Sequence, residues 1–352
     1  MSHLLDPAVC PEQAIEIAPE RPGPAWHTVG VSSPRAGGLL RRVPIGAAVD
    51  IGAYSVHLLV AEVHGHRLEP LADVSEPLRL GETVDARGEL GFEAGFRLLE
   101  TLEAYVAAAA RHGATAIALV ATDPLRRAGD AEPVIAAVTA RTGAEIQVLE
   151  HHEEAYLALL GVHAGRPVLR ETAIVDVGGG STEILLVGPG RPPVAAGLAL
   201  GAARLTRMLV KHDPPTPDEI TSLLDEARSI LAGAPDGWPV DLIAVGGTAS
   251  NLLRVGSPLA RHVLTVQRIA RTLELLTAAP AEVISTQFSV KPSRARVLPG
   301  GASILLAVAE RYGRDRVRVA SGGIREGLVL AAVHAGSRWR AELSSLVNGW
   351  SR

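Results

Sequence analysis

From Ile45 onward, short β-branched apolar runs alternate with longer stretches in which apolar residues recur every three to four positions. The runs Ile45–Val49, Ser55–Val63, Ile117–Val120, Ile146–Leu149, Ala173–Val177, Glu183–Val187 and Leu242–Val245 predict strands. The stretches 92–111, 131–142, 153–162, 201–211, 217–232, 268–278 and 293–312 predict helices. Such alternation implies α/β layers, with parallel strands where a helix intervenes and hairpins where the link is too short for one. Before Ile45 there is no sustained periodicity; six prolines and several glycines mark residues 1–43 as a leader outside the fold.

Within this alternation the chain repeats itself. Val49-Asp50-Ile51-Gly52-Ala53-Tyr54-Ser55 returns 126 residues later as Val175-Asp176-Val177-Gly178-Gly179-Gly180-Ser181, and each copy leads at once into a second apolar strand. The unit is a β-hairpin whose tip carries Asp, Gly and Ser. Glycine lets successive backbone N–H groups converge on one concave point, which suits phosphate oxygens, and the nearby Asp50 or Asp176 can hold Mg²⁺ directly or through water. A third tip, Gly246-Gly247-Thr248, follows a predicted strand and opens a helical stretch, where the amides and the helix dipole favour an anion. One such tip is an ordinary turn. Three of them, two related by duplication, point to phosphate chemistry in a cleft between halves.

Composition narrows the class. With 352 residues, 47 % hydrophobic and 20 % charged, the chain is globular and long enough for about two domains. A formal charge of −4 gives no basic field to recruit nucleic acid or an anionic membrane. The single Cys10 allows neither an intramolecular disulfide nor a cysteine zinc cage, which fits a reducing cytoplasm. The start of the chain lacks the pattern of a secretory signal, and the Ala-rich 104–110 run is too short to span a membrane. Adjacent His151-His152, with Glu150 and Glu153, read as polar surface in a strand-to-helix loop. Apolar faces on 293–312 and 324–334 suit a homodimer and packing of the C-terminal helix on the first half equally well.

The ordered motifs resemble those of the exopolyphosphatase and guanosine pentaphosphate phosphohydrolase (Ppx/GppA) family, within the actin-like superfamily. They are Asp50-Ile51-Gly52…Ser55-Val56-His57-Leu58-Leu59, Ala121-Thr122…Leu125-Arg126, Glu153-Glu154-Ala155 and Asp176-Val177-Gly178-Gly179-Gly180-Ser181-Thr182-Glu183. Leu200-Gly201-Ala202…Arg204-Leu205, Gly246-Gly247-Thr248, Arg294-Ala295…Gly300-Gly301-Ala302 and Ile324-Arg325-Glu326-Gly327 follow. The resemblance implies two actin-like α/β lobes, 44–150 and 151–336, with a helix near 324–334 packing back on the first lobe and a tail over 337–352. It further implies Mg²⁺- or Mn²⁺-dependent hydrolysis of a terminal phosphoanhydride in polyphosphate or a phosphorylated guanine nucleotide. Glu153 then falls at the catalytic base, Asp176 and Glu183 at the metal, and Asp50 facing them. Gly52, Ser55, Arg126, Gly178, Gly179, Gly180, Ser181, Gly246, Gly247 and Thr248 fall at the phosphates.

The chain also departs from the family pattern. Ala53-Tyr54 replaces a polar pair in the first tip, where Tyr54 would narrow the cleft or stack on a base, and Asp123-Pro124 adds negative charge beside a polyanion. The end soon after the last motif matches the short, two-domain members rather than those with a further HD-type helical domain. A catalytically weak sensor of polyphosphate or nucleotide and an ATP-using kinase of the wider superfamily are the competing readings. Turnover that depends on Glu153 separates the hydrolase from the sensor, and Glu153-Glu154-Ala155 with no second-substrate signature counts against the kinase.

Overall fold

The structure, a computed structural model, describes residues 43–164, 166–256 and 262–350; the leader expected over 1–43 lies, but for Val43, outside the described residues. The first half runs β1 (Ile45–Ile51), β2 (Val56–His64), β3 (Arg67–Glu76), α1 (Leu80–Arg87), α2 (Gly91–Arg111), β4 (Ala116–Ala121), α3 (Asp123–Arg127), α4 (Ala131–Thr142) and β5 (Ile146–Val148). Next come α5 (His151–His163), β6 (Thr172–Val177), β7 (Thr182–Gly188), β8 (Arg191–Leu198), α6 (Ala202–Leu209), α7 (Pro217–Leu231), β9 (Asp241–Val245) and α8 (Gly246–Gly256). The chain closes with β10 (Val263–Thr265), α9 (Val266–Thr277), α10 (Ala281–Phe288), α11 (Pro292–Arg311), β11 (Arg316–Val319), α12 (Ile324–Ala335) and α13 (Trp339–Trp350).

The strands form two mixed sheets, ordered β3-β2-β1-β4-β5 and β10-β11-β9-β6-β7-β8. In each, a meander of three antiparallel strands is continued by parallel ones, with an antiparallel β10 added at the edge of the second, so β1, β2, β3 and β4 correspond to β6, β7, β8 and β9. The duplication extends to register. Asp50 pairs with His57 across the first hairpin, and Asp176 with Glu183 across the second.

Strand periodicity distributes the core. In β1, Ala47, Val49 and Ile51 face α2 and α4 on the outside, while Ala48 faces inward. In β6, Ala173, Val175 and Val177 face the helices α6 to α9 and α11, while Ile174 turns the other way. Between the two inner sheet faces lie α5, α12 and α13, which join Leu59 and Val120 of one sheet to Leu185 and Ile243 of the other through Leu157, Leu328, Trp339 and Leu343. Helix α12 therefore packs against β1, β2 and β4 on one side and α5 on the other.

Residues 337–352, expected to be a tail, carry α13, which buries Trp339, Leu343 and Val347. The sequence pattern also leaves β3 and β8 unpredicted. Both are outer strands of their meanders, β3 mostly exposed and β8 mostly half-buried, and Pro70, Pro192 and Pro193 interrupt their apolar alternation. Among the described residues no helix is long and apolar enough to cross a membrane.

Helices α5 and α12 meet backbone to backbone. A methyl group at Gly327 would sit 1.9 Å from the Leu157 carbonyl oxygen, and one at Gly161 would sit 2.0 Å from that of Gly323. Neither backbone can retreat, because both are wedged between the sheets. Gly327→Ala is expected to cost about 1–3 kcal/mol or more, the range for overpacking a core; urea denaturation of the variant beside the parent chain measures it.

Candidate active site

Both hairpin tips and the N-terminal end of α8 open onto one cavity of about 580 Å³. Each tip closes with the same bond, Gly52 N–H to Ser55 O at 3.1 Å and Gly178 N–H to Ser181 O at 3.0 Å. Those two amides hold the turns, so the cavity is left to Gly179, Gly180 and the α8 glycines. Gly246 enters that helix at φ +80°, and a Cβ on it would lie 2.5 Å from an Asp176 oxygen; glycine is what lets strand, aspartate and helix end meet. Thr248 lines the cavity, but its hydroxyl donates to the Val177 carbonyl at 2.7 Å, so the residue braces the wall.

Among the carboxylates that line the cavity are Asp50 from β1, Asp176 from β6, Glu183 from β7 and Glu154 from α5. Burial, opposed by Arg325, lifts the Asp50 carboxyl to about 6. Burial and the charges of Asp50 and Glu326 lift Asp176 to about 7, and burial with Asp176 beside it lifts Glu183 to about 8. Glu154 is pushed well above the usual carboxylate range by burial and by Glu183, against the pull of Arg126. Asp50 Oδ1 is buried without a hydrogen-bond partner. A cluster of hard oxygen donors whose negative form is penalised for want of a counter-charge suits a divalent cation such as Mg²⁺ or Mn²⁺.

The structure separates the two adjacent glutamates. Glu153, the position that the resemblance gives to the base, does not line the cavity. It stands at N3 of α5, where one oxygen accepts from Glu150 N–H at 2.8 Å and both accept from Arg340 of α13, at 2.6 and 2.7 Å. Burial opposes ionisation, but these bonds outweigh it and hold the carboxyl below its ordinary value. One residue on, about 100° further round the helix, Glu154 points into the cleft. The bond from Glu150 N–H is one half of a capping box, and it commits Glu153 to the backbone at the entry of the helix.

The cations divide similarly. Arg126 reaches Glu154 (2.7 Å) and the Leu149 carbonyl from behind the cavity wall. Arg254, Lys291, Arg294 and Arg325 line the cavity itself; Arg294 and Arg325 stand in motifs that the sequence shows, whereas Arg254 and Lys291 lie outside them. Their field, after burial, drives His57 down to about 3, so it is a neutral imidazole, and it sits 2.6 Å from the Ser55 hydroxyl, which also accepts from Arg294 at 3.0 Å. Ser181 stands in the same relation to Glu183.

Two expectations about the altered motifs change. Tyr54 does not offer its ring to a base: it is 5 % exposed, bonded through its hydroxyl to Ser293 and covered by the Arg294 guanidinium at 4.0 Å. Asp123 does not face the cleft as a free charge, because Arg127 and Arg204 bind it at 2.7 and 3.1 Å, although its charge still adds to the upward push on Glu183.

The raised carboxyls predict how stability responds to pH. Each binds a proton more tightly in the folded chain than in the unfolded one, so between the unfolded carboxyl range and pH 8 the folded state holds the extra protons and loses stability as pH rises. Above pH 7 the histidines, whose folded values are lowered, no longer contribute. The thermal midpoint of the chain in chelator should fall from pH 7 to pH 9, and Mg²⁺ should raise it more at pH 9 than at pH 7; a flat profile would contradict the carboxylate assignment.

The Ppx/GppA phosphatase family model matches residues 59–335. Exopolyphosphatase 1 of Mycobacterium leprae is 29 % identical over 301 residues, covering 80 % of this chain and 87 % of its own. Exopolyphosphatase 2 of Mycobacterium tuberculosis is 30 % identical over 318 residues, covering 81 % and 97 %. The crystal structure of the Aquifex aeolicus Ppx/GppA family member superposes with a TM-score of 0.72 at 26 % identity, over 84 % of this chain and 99 % of that one. Paired glycine tips, converging carboxylates and a match over most of the chain agree: this protein belongs to the Ppx/GppA phosphatase family, a class of phosphoanhydride hydrolases.

Proposed function

We propose that the chain is an exopolyphosphatase that releases terminal orthophosphate from inorganic polyphosphate, with Glu154 as general base. The observation that carries this is the burial of Glu154 in the wall of a cleft that Asp50, Asp176 and Glu183 also line, together with four cationic side chains. Relatives named exopolyphosphatase support the substrate class.

The chemistry asks for a water, a base, an anchored phosphorus and dispersal of charge. Glu154, whose affinity for a proton is raised by its surroundings, takes the proton from water. The oxygen attacks the terminal phosphorus, the bridging P–O bond breaks, and its electrons leave on the shortened chain. Amides of Gly179, Gly180 and Gly247 donate to the non-bridging oxygens, while Arg254, Lys291 and Arg294 hold the phosphates behind the reacting one. Asp50, Asp176 and Glu183 would hold Mg²⁺ or Mn²⁺, which supplies positive charge against the developing negative charge on the phosphoryl oxygens.

Linear polyphosphate is favoured over guanosine pentaphosphate because Tyr54, the aromatic side chain at the tips, is already covered on its face by Arg294 and gives a purine nothing to stack on. Glu154→Gln is expected to lower kcat for phosphate release from polyphosphate about 10²- to 10⁴-fold, the range for losing a general base. Glu153→Gln should retain most of kcat and lose stability instead. The reverse ranking would return the base to Glu153, and binding without turnover by the parent chain would make it a sensor.

A further inference from the structure

The first residue of α5, His151, turns back over the sheet with its side chain 36 % exposed. Its imidazole lies against Gly197 of β8, where a Cβ would stand 2.0 Å from the ring Cγ, so the strand has space for this ring only because it carries glycine. That placement sets Nδ1 3.0 Å from Glu183 Oε1. Ligand-capable atoms of His151, Glu154 and Glu183 all fall within 4.8 Å of one another, and the two glutamates are buried, each with a side chain 3 % exposed. Arg126 spans the cluster from the rear, donating to Glu154 at 2.7 Å and lying 3.2 Å from His151 Nδ1.

We propose that His151, Glu154 and Glu183 form an inhibitory site for Zn²⁺ and similar borderline transition-metal ions. One imidazole and two carboxylates are the donor set of such ions, whereas Mg²⁺ takes oxygen ligands and keeps much of its water. The inhibition rests on the reading of Glu154 as the base. An ion bound here occupies the lone pair with which Glu154 accepts the proton from water and takes Glu183 from the Mg²⁺ site, whereas Mg²⁺ on Asp50, Asp176 and Glu183 leaves that lone pair free. The guanidinium of Arg126 is the ion's competitor for Glu154, so removing it strengthens binding.

Calorimetric titration of the full chain with Zn²⁺, without substrate, tests the site. The loss of a direct ligand in His151→Ala should weaken binding by at least about tenfold, and Arg126→Gln should tighten it. His64→Ala serves as the control, because His64 with Glu62 and Glu69 forms a second, exposed cluster on the β2–β3 hairpin. The inhibition is read separately, as the Zn²⁺ concentration that halves each protein's own Mg²⁺-supported phosphate release. It should rise by at least about tenfold in His151→Ala and stay unchanged in His64→Ala. Equal Zn²⁺ affinity in His151→Ala and the parent chain, or a loss that follows His64→Ala, overturns the site. Inhibition that is the same in parent and His151→Ala overturns it while leaving the hydrolase standing. Absence of any turnover with Mg²⁺, with Zn²⁺ affinity still lost in His151→Ala, keeps the metal site and removes the exopolyphosphatase reading.

Discussion

Four carboxylates share one poorly solvated cleft, and the cost of keeping them there as anions shapes what surrounds them. Asp50, Asp176, Glu183 and Glu154 come from three strands and a helix, and each raises its neighbours' affinity for protons or for a cation. No single element would tolerate that density of like charge. It persists because β1, β6 and α5 are fixed by apolar packing on their far sides, where Val49, Val175 and Leu157 are fully buried. The packing energy of the two sheets and three central helices is thus what holds a repulsive, ligand-ready cluster in place.

The duplicated half-sheets use one geometry for opposite electrostatic ends. At the residue paired with the hairpin aspartate, one copy has His57 and the other Glu183. Each is contacted by the serine two residues earlier, so the backbone frame is the same. Around His57 stand Arg325, Arg294 and Lys291; around Glu183 stand Asp176 and Glu154. The first half presents its tip to cationic side chains suited to the body of a polyanion. The second presents oxygen donors suited to a metal and to the reacting end. A repeat in sequence has become a polarity in the cleft.

Helix α5 shows how much depends on one helical step. Glu153 and Glu154 are chemically identical neighbours, yet a capping bond and the Arg340 pair hold the carboxyl of one below its ordinary value, while desolvation and Glu183 push that of the other well above it. The C-terminal helix takes part in this, since Arg340 also binds the Val148 carbonyl and so ties the entry of α5 to the end of β5.

The sequence by itself determined the layered α/β class, the duplicated hairpins, the glycine turns and the aspartates at the strand ends. These depend on local causes: period-two burial in strands, the steric freedom of glycine and the bonding of a turn to itself. Edge strands β3 and β8 escaped because half-exposed strands need no apolar run, and α13 escaped because its apolar face has meaning only against α5 and α12. Which glutamate faces the cleft, that Tyr54 lies under Arg294 and that Arg204 reaches Asp123 were decided by tertiary structure alone. Each of these facts depends on a partner more than 25 residues away or on the rotation of a helix about its own axis, and neither a distant contact nor a helix's rotation is written in local sequence.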